Sequence, residues 1–419
     1  SMTWGTGSSP IRGYKFTYDG LSRMTDAVYG EGNALTQHPN RFNEQVSGYD
    51  KMGNILGLFR YGQTSTGGYG LVDNLNFVYD GNQLQSVYDN AILSAAATGM
   101  EFVDGIDLPI EYTYDANGNL TKDLNKKIVD IQYNCLNLPT CVIFANGNSI
   151  SYLYDANGTK IRTTHVIGND TTITDYCGNV VYENGVPKTL LTEAGFVSLN
   201  DRIYHYYLKD HQGNNRVVAD QNGTIEEVNH YYPFGSIFTS ASSVQSYKYN
   251  GKELDRNDGL DWYDYGVRQY APAIGRWNAV DPSSEKHYNW SPYSYCKNNP
   301  VLRVDIDGKD DYTVNSAGRL FKTVVEGSTD DRLMSTRSGV KPITVNDKKY
   351  FLECIICKMV NQEALKLIIQ HQTLRMQPQF SNLELTTLLL NGNWIYIMIR
   401  EIKRLLSELR VEKIVYSLI

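Results

Sequence analysis

The chain has 419 residues and a formal net charge of −7, length enough for two or three ordinary domains or one large repetitive one. Acidic and basic residues interleave, which excludes a general nucleic-acid surface built on clustered Lys and Arg. No run of about 18 uncharged apolar residues forms an ordinary membrane span.

Tyr 32 and Gly 35 against Phe 12 predict an all-β chain. Tyr suits half-buried strands, its ring packed and its hydroxyl wet, and Gly in Asn-Gly and Asp-Gly steps suits tight hairpins. The chain opens Ser1-Met2-Thr3-Trp4 without a signal peptide and runs straight into a repeat, as expected of a fragment of a longer protein. A Tyr-Asp pair followed by a Gly-containing turn then recurs: Tyr18-Asp19-Gly20, Tyr49-Asp50-Lys51-Met52-Gly53-Asn54, Tyr79-Asp80-Gly81-Asn82, Tyr114-Asp115-Ala116-Asn117-Gly118-Asn119-Leu120 and Tyr154-Asp155-Ala156-Asn157-Gly158. Tyr133-Asn134-Cys135-Leu136-Asn137-Leu138 is a degenerate copy. A spacing of about 20 residues makes the unit one hairpin.

The physics of the unit is readable. Tyr112 and Tyr114 alternate with Thr113 and so share a strand face. Asp115 accepts from turn amides, Asn117-Gly118 supplies residues that tolerate positive φ, and Leu120 returns the chain to the apolar face. One hairpin alone is marginal, so neighbours must stack into a continuous sheet. These Tyr and Asp residues are read as structural. Six scattered cysteines (135, 141, 177, 296, 354, 357) read as buried thiols rather than a disulfide scaffold, with a Cys135–Cys141 pair as the alternative.

The motif Tyr-Asp-x-x-Gly-Asn-Leu resembles the YD repeat of Rhs proteins, insecticidal toxin-complex C components and teneurins. The next stretch resembles the Rhs repeat-associated core. It runs through Tyr206-Tyr207-Leu208-Lys209-Asp210-His211-Gln212-Gly213, Tyr232-Pro233-Phe234-Gly235 and Tyr249-Asn250-Gly251-Lys252-Glu253-Leu254-Asp255. It continues with Arg268-Gln269-Tyr270, Gly275-Arg276-Trp277, Asp281-Pro282 and Trp290-Ser291-Pro292-Tyr293, and ends at Asp305-Ile306-Asp307-Gly308. The Lys-Glu-Leu-Asp and Trp-Ser-Pro-Tyr variants look like the form in Bacteroides-like bacteria.

The resemblance implies a β-sheet spiral enclosing a variable C-terminal toxin, with the core as its plug. It divides the chain into YD repeats (1–200), core (201–308), leader (309–349) and variable tail (350–419). Implied partners are a preceding shell segment, the toxin, an immunity protein and a secretion apparatus, in a secreted or cell-surface setting. This chain holds too few repeats for a full cocoon, so an open curved sheet with aggregation-prone edges is expected. A glycan-binding adhesion surface, as in teneurin-like relatives, is a further alternative.

Some relatives cut themselves where the core ends. Two carboxylates held close share a proton, one acting as base toward water and the other as acid toward the leaving amide. Asp281, Asp305 and Asp307 are the candidates, with Arg276 to bias one ionised. This sequence has Ile306 where the family has Pro, which removes a rigid turn element. The alternative is that Asp281-Pro282 and Asp307-Gly308 are simply turns. His205 and His211 lack a third ligand, so no metal site is read, and no cofactor motif is found.

Residues 350–419 hold one Gly (Gly392) and no Asp. Ile395, Met398, Ile399, Ile402, Leu405, Leu406 and Leu409 fall at helical spacing opposite Arg400, Lys403, Arg404 and Glu408, predicting an amphipathic helix. Cys354 and Cys357 have no second ligand pair, no nuclease constellation is visible, and a membrane-disrupting role is an alternative. A further alternative is that a frameshift near 350 makes this stretch an out-of-frame translation.

Overall fold

The structure, a computed structural model, describes residues 1–322 apart from 6–9, 66, 96–98, 241–242 and 316–317, and also the backbone of Ile343–Val345 and Lys348–Tyr350. The chain divides into two compact units, Ser1–Gly339 and Val340–Ile419. In the second, the described residues form one antiparallel hairpin. The helical tail, Cys354, Cys357 and the frameshift reading lie outside the described residues.

The first unit is all-β, as predicted. Seven strands, from Met2–Trp4 to Gln83–Asp89, form one sheet, and fourteen, from Tyr112–Tyr114 to Ile237–Ser240, form another. In both, every hydrogen-bonded neighbour is also the neighbour in sequence, and both sheets are open. The residue 200 boundary falls between two paired strands, Gly195–Ser198 and Tyr204–Lys209. Strands between Lys160 and Leu191 stay largely half-buried or exposed on both faces.

One turn explains the repetition. Asp50 Oδ1 accepts from the amides of Met52 and Asn54, both at 2.8 Å, while the Asp50 amide donates to Asn54 O and Gly53 N to Asp50 O. Asp19, Asp115, Asn134, Asp155, Asp210 and Asp220 accept from the amides two and four residues on in the same way. The fourth turn residue needs positive φ: it is 82° at Gly53 and 81° at Gly118, and the degenerate copy uses Asn137 at 58°. Asn117, expected to share this role, has no positive φ. Asp80 is an exception, because Gly81-Asn82 closes a two-residue hairpin with Asp80 opposite Gln83.

The tyrosines do something composition did not suggest. In three of the repeats the Tyr-Asp tyrosine hydroxyl is not wet; it donates to a backbone carbonyl. Tyr49 reaches Met24 O, Tyr79 reaches Ile55 O at 2.8 Å and Tyr133 reaches Leu120 O at 2.7 Å. Met24, Ile55 and Leu120 each follow a preceding Tyr-Asp turn, so each repeat is pinned to an earlier one. Tyr114 Oη holds the equivalent Leu84 through its amide, at 3.2 Å. A buried hydroxyl would otherwise forfeit its hydrogen bond to water.

The cysteines also depart from expectation. Cys135, Cys141, Cys177 and Cys296 are free, and only Cys296 is buried. Cys135 and Cys177 sit at hairpin ends, where a thiol meets solvent.

Candidate functional site

Residues 245–308 contain few strands and many turns, yet among the described residues they are the part richest in fully buried aromatic rings. Tyr249, Tyr265, Tyr270, Trp277 and Tyr295 pack together, with Tyr270 stacked on Tyr295 at 4.1 Å and Tyr265 edge-on to Trp277 at 5.0 Å. Tyr265 and Tyr295 both donate to Asn250 Oδ1.

This segment sits on the Tyr-Asp turns of both sheets. Asn298 Nδ2 donates to Gly53 O at 2.6 Å and Asn299 Nδ2 to Ser22 O at 2.7 Å. Tyr293 Oη donates to Gly118 O at 2.7 Å. A Cβ at Gly118 would stand 2.8 Å from that hydroxyl and 2.7 Å from Val280. The turn glycines therefore serve twice, for their φ and for close approach. Deeper in, the fully buried Arg60 pairs with Glu44 at 2.7 Å and Asp73 at 3.1 Å, and donates to the carbonyls of Pro272 and Ala273.

The candidate carboxylates lie in the second half of this segment, and two of the three face one cation. Asp281 and Asp305 both face Nη2 of Arg268, at 3.2 and 3.6 Å. Asp305 ends the strand Arg303–Asp305, is 3% exposed, and accepts from the amides of Gly308 at 2.7 Å and Asp307 at 3.1 Å. Burial raises its carboxyl to about 7, although Arg268 and the Gly308 amide oppose the shift. Burial also raises Asp281, again against Arg268. Asp281 Oδ1 caps a turn by accepting from Ser283 N, so it serves the turn and the pair together.

Asp307 is exposed, and its Oδ1 accepts from Lys309 N; it does not join the pair. Arg276 is elsewhere too: it binds Asn54 Oδ1 at 3.0 Å and Asn82 O at 2.6 Å, between the rings of Tyr79 and Tyr293. The cation at the carboxylates is Arg268, whose Nε also donates to Gly308 O at 2.6 Å. Lys252 donates to Ile306 O, and Val267 N to Asp307 O at 3.4 Å, so three successive carbonyls of the loop are held. Arg268 and Lys252 stand in motifs legible in the sequence, but nothing there pointed them at this loop.

The two histidines serve separate ends: His205 pairs with Glu226 and stacks on Phe196, and His211 lies 3.4 Å from Val301 O. Among the described residues no group of His, Cys, Asp and Glu is arranged to hold a metal.

No family model matches the chain. The tRNA3(Ser)-specific nuclease WapA of Bacillus spizizenii is 30% identical over 255 residues, covering 57% of this chain and 10% of its own length. The tRNA nuclease WapA of Bacillus subtilis is 29% identical over the same shares. The likeness supports a chain of Rhs type. Salivary gland surface protein 1 of Aedes aegypti is 29% identical over 47% of this chain and 6% of its own length. The chain thus spans a tenth or less of the length of these curated relatives. Among solved structures, TcdB2-TccC3 is 18% identical with TM-score 0.39 over 72% of this chain and 19% of that one. The Photorhabdus luminescens Tc holotoxin pore is 16% identical with TM-score 0.40, over 80% and 21%.

Proposed function

We propose that this chain is the shell and core segment of a secreted bacterial toxin, a passive repeat sheet that encloses or presents a variable C-terminal effector. The observation that carries the reading is the seating of the core on the repeat turns. Contacts to Ser22, Gly53, Asn54, Asn82 and Gly118 make the core a cap on the sheets rather than a separate domain. On this reading residues 1–200 are YD repeats, 201–308 the repeat-associated core, 309–349 the leader and 350–419 the variable region. A preceding shell segment, the toxin, an immunity protein and a secretion apparatus are its partners. Co-culture tests it: a strain carrying the gene should suppress a derivative that lacks both this gene and its neighbours. Equal growth of the two would remove the toxin reading.

A second reading is favoured by one observation: Asp281 and Asp305 share Arg268, which also polarises the Gly308 carbonyl. Two carboxylates on one guanidinium, Asp281 and Asp305, could serve as acid and base toward an amide in the 306–310 loop. Hydrolysis would consume one water, its hydroxyl going to the carbonyl carbon and a proton to the leaving nitrogen. Intact mass under denaturing conditions separates the readings. Self-cleavage predicts a cut near Gly308 in the wild type and in Asp307→Asn, and none in Asp281→Asn or Asp305→Asn. A wild-type chain that stays at 47.4 kDa leaves the core passive.

A further inference from the structure

Six Asn-Gly steps lie among the described residues, and five of them are closed in the same way. The amides of Gly118, Gly147, Gly158, Gly223 and Gly251 each donate to the carbonyl three residues back, at 3.0–3.1 Å. Asn184-Gly185 is built differently. It is the two-residue turn between Val180–Glu183 and Val186–Leu191, with Glu183 opposite Val186 and φ of 51° and 79°. The Gly185 amide has no acceptor among the described residues, and a Cβ at Gly185 would meet nothing within 4 Å. Exposure does not set this step apart, because Asn117, Asn146, Asn157 and Asn222 are exposed as well. What differs is the free amide. The Asn184 carboxamide is also polarised, since its Oδ1 accepts from Ile173 N at 2.9 Å while Asn184 N donates to Ile173 O at 2.8 Å.

We propose that Asn184-Gly185 is a self-modification site, at which water converts the asparagine to aspartate and isoaspartate. The Gly185 nitrogen attacks Asn184 Cγ. The bond from Gly185 N to Cγ forms, the Cγ–Nδ2 bond breaks, and the glycine amide proton leaves with Nδ2 as ammonia. One water then opens the cyclic imide at either carbonyl, and no oxidant or reductant is needed. An amide that already donates must first give up that bond, whereas Gly185 N has none to lose. Glycine carries no Cβ to shield the nitrogen, and the Ile173 amide donates where charge develops on Oδ1. Isoaspartate adds a main-chain atom to a two-residue turn whose length fixes its register. It therefore breaks the pairing of Glu183 with Val186, in the interior of the fourteen-stranded sheet.

The experiment is peptide mapping of the full chain aged at mildly alkaline pH, with mass gain and isoaspartyl content read at all six steps in one sample. Asn184 should convert about fivefold faster than each of the other five, the rate equivalent of about 1 kcal/mol for one amide hydrogen bond. A parallel sample in guanidinium chloride removes the turns. There the six rates should converge, since glycine follows every one of these asparagines. Conversion of Asn184 no faster than the others in the folded chain would overturn the proposal. A lead that survives denaturation unchanged would overturn it too, because its cause would be the flanking sequence rather than the free amide. Asn184→Gln, whose longer side chain closes only a slower six-membered ring, should lose the gain at that position and leave the other five as they were. A gain that persists in this variant would place the reaction elsewhere and sink the assignment.

Discussion

The repeat sheets and the core they carry are held together in opposite ways. In the sheets each contact is local and has copies: turn carboxylates bind amides two and four residues on, and tyrosine hydroxyls reach back to an earlier repeat. In the core the contacts are single and distant: Arg60 to Ala273, Arg276 to Asn54, Asn298 to Gly53. A repetitive sheet spreads the loss of one contact over its neighbours, because each repeat is stabilised mainly by the next. A docked cap has no second copy of anything. The same turns therefore carry two kinds of duty, and the two should separate under mutation.

The largest effect is expected at Arg60→Met. The substitution leaves Glu44 and Asp73 buried together with no cation, which costs about 3–5 kcal/mol. Burial already raises Glu44 and lifts Asp73 to about 7 in the presence of Arg60. Without it both shift further up. The loss measured by urea unfolding should then grow as pH rises from 5 to 8, where the carboxylates must ionise. A loss below about 1 kcal/mol at pH 8 would mean that apolar packing alone seats the core.

Asp123 tests the sheet by itself. It is buried, and desolvation lifts its carboxyl to about 6 against Lys126. Its folded pKa lies above the unfolded value, so its stabilising contribution is complete below about pH 4 and is lost as pH rises through 6. Asp123→Asn can still accept from Lys126 N. It should be more stable than the wild type by on the order of 2 kcal/mol at pH 8, with the gap closing near pH 4. Equal urea midpoints at pH 8 would show that the Asp123 charge is solvated after all.

How much of this could be read in advance divides along the same line. The turns were legible, because Asp, Gly and Asn recur at fixed offsets and each has one physical use there. The wet hydroxyl was a wrong inference from composition: amino-acid counts cannot show that a carbonyl of an earlier repeat waits at hydroxyl distance. The carboxylate pair was half legible. Asp281 and Asp305 do face one guanidinium, but Asp307, two residues on and on the same strand face by alternation, turns outward because the strand ends at Asp305. Arg268 and Arg276 lie eight positions apart in equally plausible motifs. Only the docking on Asn54 and Asn82 takes Arg276 away from the acids. The Arg60 cluster was illegible for a similar reason, since a charged residue in an alternating strand normally marks the solvent face.

The smallest effect gives the finest test of the tyrosine ladder. Tyr133 and Tyr154 occupy the same place in successive repeats, and both rings pack against the core. Tyr133 Oη has its carbonyl partner, whereas Tyr154 Oη is buried without one. Tyr133→Phe should therefore cost about 1 kcal/mol, the net worth of an ordinary hydrogen bond, and also strand the Leu120 carbonyl. Tyr154→Phe removes a desolvated, unpaired hydroxyl, so it should leave stability unchanged or raise it by up to about 1 kcal/mol. Opposite signs in paired urea titrations would show that the repeats are pinned by the hydroxyl bond itself. Equal losses would mean that the ring does the pinning, and that the carbonyl contacts merely result from where the rings pack.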